Sequence, residues 1–244
     1  MTRNISVTPE TENTKVALMV GASGLVGKHL LLKLLASPRY SKVIALVRTP
    51  LKLENEKLEQ WQIDFEQLDT ELASHGFASE NQQQENVQSN NSTKIDHIFC
   101  TLGTTIKKAG AKPAFSQVDY QYPLCIAEFF YRQQAELFAI VSAMGANKNA
   151  RVFYSQVKGK IETDLSNIGY QHLGIFRPSM LAGQRDEFRL GEQFGTILMN
   201  AFAFVIPKKY QVIQAEKVAN AMLAYTESPT LGVAIVESDQ LQNY

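Results

Sequence analysis

Val16-Ala17-Leu18-Met19-Val20 runs directly into Gly21-Ala22-Ser23-Gly24-Leu25-Val26-Gly27, and then into Lys28-His29-Leu30-Leu31-Leu32-Lys33-Leu34-Leu35. The first five residues form an unbroken apolar run of strand length, the pattern of a strand covered on both faces of a parallel sheet. Leu30, Leu31, Leu32, Leu34 and Leu35 give the apolar pattern of a helix. Between them stands a turn whose glycines permit a sharp bend and a close approach to the main chain. The unpaired N–H groups and positive dipole end at the helix start attract negative charge, so strand, glycine turn and helix together read as a seat for a dinucleotide pyrophosphate. The first two glycines lie three positions apart, giving GxxGxxG rather than GxGxxG.

Working outward, 244 residues suffice for one sizeable core, and alternating strand and helix patterns run almost to the end. The expected organisation is a polar tail over 1–14 and a single domain over 15–244. The domain carries a polar insertion at about 75–93, rich in Ser, Asn, Gln and Glu, and pocket elements from about 179. The insertion has too little apolar area to offset its ordering entropy and is expected to be mobile. Lys+Arg and Asp+Glu number 24 each, which gives no electrostatic case for nucleic acid or an anionic membrane as partner. The apolar run within 197–207 is too short to cross a bilayer, and the N-terminus lacks the apolar stretch of a secretion signal. Cys100 and Cys125 read as small apolar fillers, which points to a reducing cytoplasm. His29, His75, His97 and His172 show no metal-ligand spacing, so no metal is expected.

Strands are expected near 16–20, 42–47, 61–65, 96–101, 137–142, 171–177, 210–213 and 232–237. Helices are expected after the glycine turn and near 66–73, 115–133, 150–167, 187–204 and 215–225. This alternation argues for a doubly wound parallel α/β sheet with right-handed crossovers. In such a sheet the ligand lies beyond the carboxyl ends of the strands. Arg48 ends the second strand with no acidic neighbour, where a carboxylate would serve NAD ribose hydroxyls and an arginine suits a 2′-phosphate. NADP(H) is therefore favoured over NAD(H). Asp64 at the end of the third strand reads either as an acceptor for the adenine amine or as a helix N-cap.

Ser142 ends the fifth strand, and Tyr154 and Lys158 follow at a spacing that places both on one helix face. A phenol is a poor acid or base at neutral pH. A nearby ammonium and an oxidised nicotinamide favour its ionised form, while Ser142 would hydrogen-bond the substrate oxygen. Arg185 and Arg189 read either as an anion site or as a solvated surface. Phe188, Phe194, Met199, Phe202 and Phe204 read as an apolar lid or interface.

Five stretches carry a resemblance to the short-chain dehydrogenase/reductase superfamily, and within it to an atypical, TIP30-like group of NADP-binding proteins: 21–27, 46–48, 100–105, 154–159 and 176–183. The GxxGxxG form is the variant found in extended and atypical members. The resemblance implies a Rossmann fold in which Gly21, Gly24 and Gly27, with Ser23 and Leu25, line the pyrophosphate and Arg48 holds the 2′-phosphate. Leu102 and Gly103 would pass the adenosine ribose. Lys158 would also hold the nicotinamide ribose, and Pro178, Ser179 and Met180 would pack along the nicotinamide. Ser142, Tyr154 and Lys158 match the catalytic triad. One departure stands out: many members place asparagine in the helix after the fourth strand, where this chain has Asp119, and an ionised carboxylate cannot donate as an amide does. The activity implied is hydride transfer with a small carbonyl or alcohol substrate, in a monomer or homodimer. Sugar epimerisation, or a nucleotide-binding regulator without turnover, are the alternatives.

Overall fold

The computed structural model describes residues 14–75, 93–182 and 207–244. Strands β1 (Lys15–Val20), β2 (Tyr40–Val47), β3 (Leu58–Gln62), β4 (His97–Cys100), β5 (Leu137–Val141), β6 (His172–Arg177) and β9 (Gly232–Glu237) form one seven-stranded sheet. Its order is β3-β2-β1-β4-β5-β6-β9 and every pairing is parallel. Order runs outward from β1 in one direction and from β4 in the other, which creates a crevice at the carboxyl ends of those two strands. Two-residue strands β7 (Leu181–Ala182) and β8 (Ile213–Gln214) pair beside the sheet.

Alternating strand residues feed two cores. Ala17, Met19, Val43, Ala45, Phe99 and Ala139 face one side, under α1 (Leu25–Ala36) and α7 (Ala215–Tyr225). Leu18, Val20, Ile44, Leu46, Ile98, Phe138 and Ile140 face the other, under α5 (Tyr122–Arg132) and α6 (Phe153–Ile168). Double-sided burial is why these strands are continuous apolar runs. Shorter helices complete the chain: α2 (Leu68–Ser74), α3 (Ile106–Ala109), α4 (Lys112–Ser116) and α8 (Ser238–Leu241).

The expected fold class is the observed one, with local departures. The third strand lies at Leu58–Gln62 rather than 61–65, because its ladder follows β2 from Val43↔Leu58 to Val47↔Gln62. The helix expected over 115–133 begins at Lys112 and is broken by a π-helical turn at Gln117–Gln121 between α4 and α5. Asp119 lies in that turn and is buried, 1% exposed. The helix expected over 150–167 is α6, starting at Phe153. In place of a strand at 210–213 there is a 3₁₀ turn at Lys208–Tyr210, followed by β8. The helix expected at 187–204, most of the polar insertion, and Arg185, Phe188, Arg189, Phe194, Met199, Phe202 and Phe204 lie outside the described residues.

Candidate active site

The glycine turn is shaped by backbone contact. Gly21 has φ +84°, and a Cβ there would stand 2.7–2.8 Å from the Thr101 and Leu102 main chain. A Cβ on Gly27 would stand 2.1 Å from the Gly21 carbonyl oxygen. Gly24 differs: its φ is −73° and its nearest obstacle is the Gly21 carbonyl oxygen at 3.1 Å. Two glycines are thus required by strand-to-helix packing, and the third keeps the turn bare at the start of α1. No side chain caps that helix, so its first-turn N–H groups have no side-chain acceptor. The Thr101 hydroxyl lies 3.0 Å from both the Val20 and Gly21 carbonyls and ties the end of β4 to the turn. The donor set fits a pyrophosphate. Ser23 is exposed on the turn and Leu25 half-buried at the helix start.

Arg48 is exposed just past β2, its guanidinium 5.5 Å from the centre of the Phe65 ring. This holds a cation beside the crevice with no salt-bridge partner among the described residues. Asp64 takes the capping role: its carboxylate accepts from the Glu66 N–H at 3.0 Å and begins the 3₁₀ turn Phe65–Gln67.

Beyond β4 the chain passes through Leu102, Gly103 and Thr104. The Thr104 N–H donates to Asp119 Oδ2 at 2.9 Å. Asp119 Oδ1 lies 2.8 Å from Lys158 Nζ, an ion pair without an aligned hydrogen bond. Lys158 is 4% exposed. Burial alone would lower its pKa, but Asp119 and then Tyr154 outweigh burial and hold it above the ordinary lysine value. Tyr154, one turn earlier, is half-buried with its ring 5.6 Å from that of Phe115. Burial pushes the nearby Cys100 thiol up to about 12, so it stays protonated. Both cysteines are free.

Glu162, one turn beyond Lys158, carries a network that sequence reasoning missed. Ser142 Oγ donates to Glu162 Oε1 at 2.5 Å. Arg177 donates to both Glu162 oxygens, at 3.0 and 2.6 Å, and to Glu237 at 2.8 Å. These bonds tie the carboxyl ends of β5, β6 and β9 to the helix that bears Tyr154 and Lys158. The one available signal was spacing, since residues 154, 158 and 162 share a helix face. Gly159 was also missed: a Cβ there would lie 2.1 Å from the Asn147–Lys148 main chain, and the Asn147 N–H donates to the Ser155 carbonyl at 3.0 Å.

The loop after β6 lies alongside. The Pro178 carbonyl accepts from the Met144 N–H, the Ser179 N–H donates to Ser238 Oγ, and the Ser179 hydroxyl donates to the Gln211 carbonyl. Met180 is exposed. The Tyr–Lys helix face and the loop turns thus converge at the carboxyl ends of the strands, while Ser142 has its hydroxyl proton turned toward Glu162. Among the described residues no His, Cys, Asp or Glu cluster could hold a metal. None of the described helices is long and apolar enough to cross a membrane.

The HIM1 family matches residues 51–205. Protein HTATIP2 of Rattus norvegicus is 33% identical over 178 residues, covering 73% of this chain and 67% of that protein. A fungal relative, Protein FMP52, mitochondrial, of Eremothecium gossypii, is 30% identical and spans 72% of this chain and 70% of its own. Among solved structures, the Bordetella bronchiseptica enzyme WbmH in complex with NAD+ superposes with a TM-score of 0.65. It is 13% identical and covers 92% of this chain and 76% of that one, a likeness of fold. The expectation of a cytoplasmic protein is overturned: four fungal relatives, 26–32% identical, are named mitochondrial. Reduced cysteines are as compatible with a mitochondrial compartment as with the cytoplasm, so they were a poor guide. With the family match and the relatives in agreement, the chain belongs to the HIM1 family of HTATIP2-like proteins, and its parallel sheet flanked by helices is a Rossmann-like α/β fold.

Proposed function

We propose that this chain is an NADP(H)-dependent oxidoreductase acting on a small carbonyl or alcohol substrate. The observation that carries the reading is the pairing of Tyr154 and Lys158 on one face of α6, with Lys158 buried and charged, at the sheet end where the glycine turn and Arg48 also lie. The glycine turn and the start of α1 would receive the pyrophosphate, Arg48 the 2′-phosphate, Leu102 and Gly103 the adenosine ribose, and Pro178, Ser179 and Met180 the nicotinamide. Asp64 would border the adenine from its capping position. When bound, the nicotinamide supplies a hydride to a carbonyl carbon or takes one from an alcohol carbon.

Tyr154 then passes its hydroxyl proton to the substrate oxygen in reduction and recovers it in oxidation, so a carbonyl, a hydride and a proton balance an alcohol. The Lys158 ammonium stabilises the phenolate left behind and donates to the ribose hydroxyls. A mitochondrial location is supported by the fungal relatives' names.

A second reading is favoured by the Ser142 hydroxyl, whose single proton is given to Glu162 rather than offered to a substrate. In that reading the chain binds the nucleotide to regulate a partner and turns over nothing. NADPH oxidation across aldehydes, ketones and quinones separates the two. Turnover that Tyr154→Phe abolishes supports the oxidoreductase. Biological activity that survives Tyr154→Phe and is lost in Gly24→Asp supports the regulator.

A further inference from the structure

The Asp119 carboxylate is engaged on both oxygens: Oδ2 with the Thr104 N–H and Oδ1 with Lys158. Both side chains of the ion pair are almost fully out of water, at 1% and 5% exposed. Asp119 is the buried residue of the π-helical turn. The charged or titratable groups that face Lys158 are Asp119 from the π turn, Tyr154 from α6 and Cys100 from β4. The thiol is buried and protonated, and Asp119 is the carboxylate in ion-pair contact among the described residues. An ammonium removed from water without a counter-charge gives up its proton.

We propose that Asp119 is a positioning residue that keeps Lys158 protonated and in place before any nucleotide arrives, and that holds the Leu102–Thr104 turn against it. One carboxylate would thus preset both walls between which the ribose passes. An asparagine could still accept from the Thr104 N–H through its amide oxygen, but it would supply no charge. Asp119→Asn therefore separates the two tasks. The nucleotide part of this inference rests on the reading of Lys158 as a ribose-holding residue, whereas its electrostatic part does not.

The test follows the Lys158 side chain itself. In wild-type protein without nucleotide, labelled at the lysine Cε and assigned by the loss of one signal in Lys158→Met, the Lys158 resonance should stay in its ammonium form through pH 9. In Asp119→Asn it should titrate at least about one pH unit lower than in wild type. NADPH affinity of Asp119→Asn should then fall more steeply with rising pH toward 9 than that of wild type, and this excess pH dependence should vanish in Asp119→Asn/Lys158→Met. A Lys158 signal that titrates identically with and without the carboxylate, or that is already neutral in wild type at pH 9, overturns the proposal. The wild-type titration needs no variant at position 119 to fold. Failure of wild-type protein to bind NADPH would sink the functional reading while leaving the Lys158 titration decisive for Asp119.

Discussion

Adding one methyl group at Gly27 should damage the fold, whereas the same addition at Gly24 should damage only ligand binding. At Gly27 the new carbon would lie 2.1 Å from the Gly21 carbonyl oxygen, with Thr101 Oγ1 and the Gly21 carbonyl carbon both 2.9 Å away. Ordinary contact requires a separation of about 1.3 Å more, and the obstacle is backbone in a turn that Thr101 pins to β4. Overpacking of this kind costs about 3 kcal/mol, and the gain in helix propensity returns about 1 kcal/mol. The net loss of about 2 kcal/mol corresponds to a Tm lower by about 4–8 °C for a chain of this size. At Gly24 the backbone is already at φ −73°, and the added carbon meets one oxygen at 3.1 Å. Stability should therefore change by less than about 0.5 kcal/mol. NADPH affinity should nonetheless fall at least about tenfold, because a side chain now stands where phosphate approaches the main chain. Urea denaturation followed through Trp61, the single tryptophan and a buried β3 residue, reports the first quantity, and nucleotide titration the second. A Gly27→Ala protein as stable as wild type would refute the packing argument. A Gly24→Ala protein that unfolds early would refute the division of labour.

Other perturbations follow from the same contacts. His97 is buried with Nδ1 2.8 Å from the Tyr40 hydroxyl. Burial foremost, then Lys15, holds its pKa down at about 4, against the opposing effects of Asp96 and Glu136 and with a smaller lowering by Arg39. Because the unfolded chain takes up that proton near pH 6.5, stability from this group is complete above about pH 6.5. It is lost as pH falls to about 4, by about 3 kcal/mol, and a His97→Asn denaturation series should lack that component. Asp119→Ala leaves Lys158 buried without its counter-charge and should cost about 3–5 kcal/mol in urea denaturation, partly restored by adding Lys158→Met. Glu162→Gln should cost about 2–3 kcal/mol, since Arg177 loses its two-oxygen partner but keeps Glu237. A loss under about 1 kcal/mol would mean that the network does not hold α6 to the sheet.

The parts of the molecule legible in the sequence are those whose cause is local. Val16 to Leu35 announces strand, turn and helix because burial, glycine spacing and helical periodicity all lie within one stretch. Tyr154 and Lys158 are legible for the same reason, four residues apart on one helix. β3 lies three residues before the stretch in which Trp61, Ile63 and Phe65 alternate like a strand. The ladder with β2 ends at Gln62, and Ile63 and Phe65 bury themselves in the turn beyond it. The π turn was invisible because no residue in 117–121 demands it. It coincides with a carboxylate satisfied by Thr104 and Lys158, fifteen and thirty-nine positions away. The Ser142–Glu162–Arg177–Glu237 network joins four elements across the sheet end, and only the 158-to-162 spacing foreshadowed any of it. Ser142 illustrates the consequence: its place at the strand end was legible, but the direction of its hydroxyl was set by a partner twenty residues on.

The most direct test of the account is titration of the purified protein with NADPH and NADH, following nicotinamide fluorescence, with Arg48→Glu alongside. The account predicts saturable NADPH binding, weaker NADH binding, and loss of at least about tenfold in NADPH affinity in the variant, whose carboxylate would repel the 2′-phosphate. Binding of neither nucleotide would contradict the central claim and reduce the glycine turn to a structural corner. Equal binding of both, unchanged in Arg48→Glu, would remove the case for NADP.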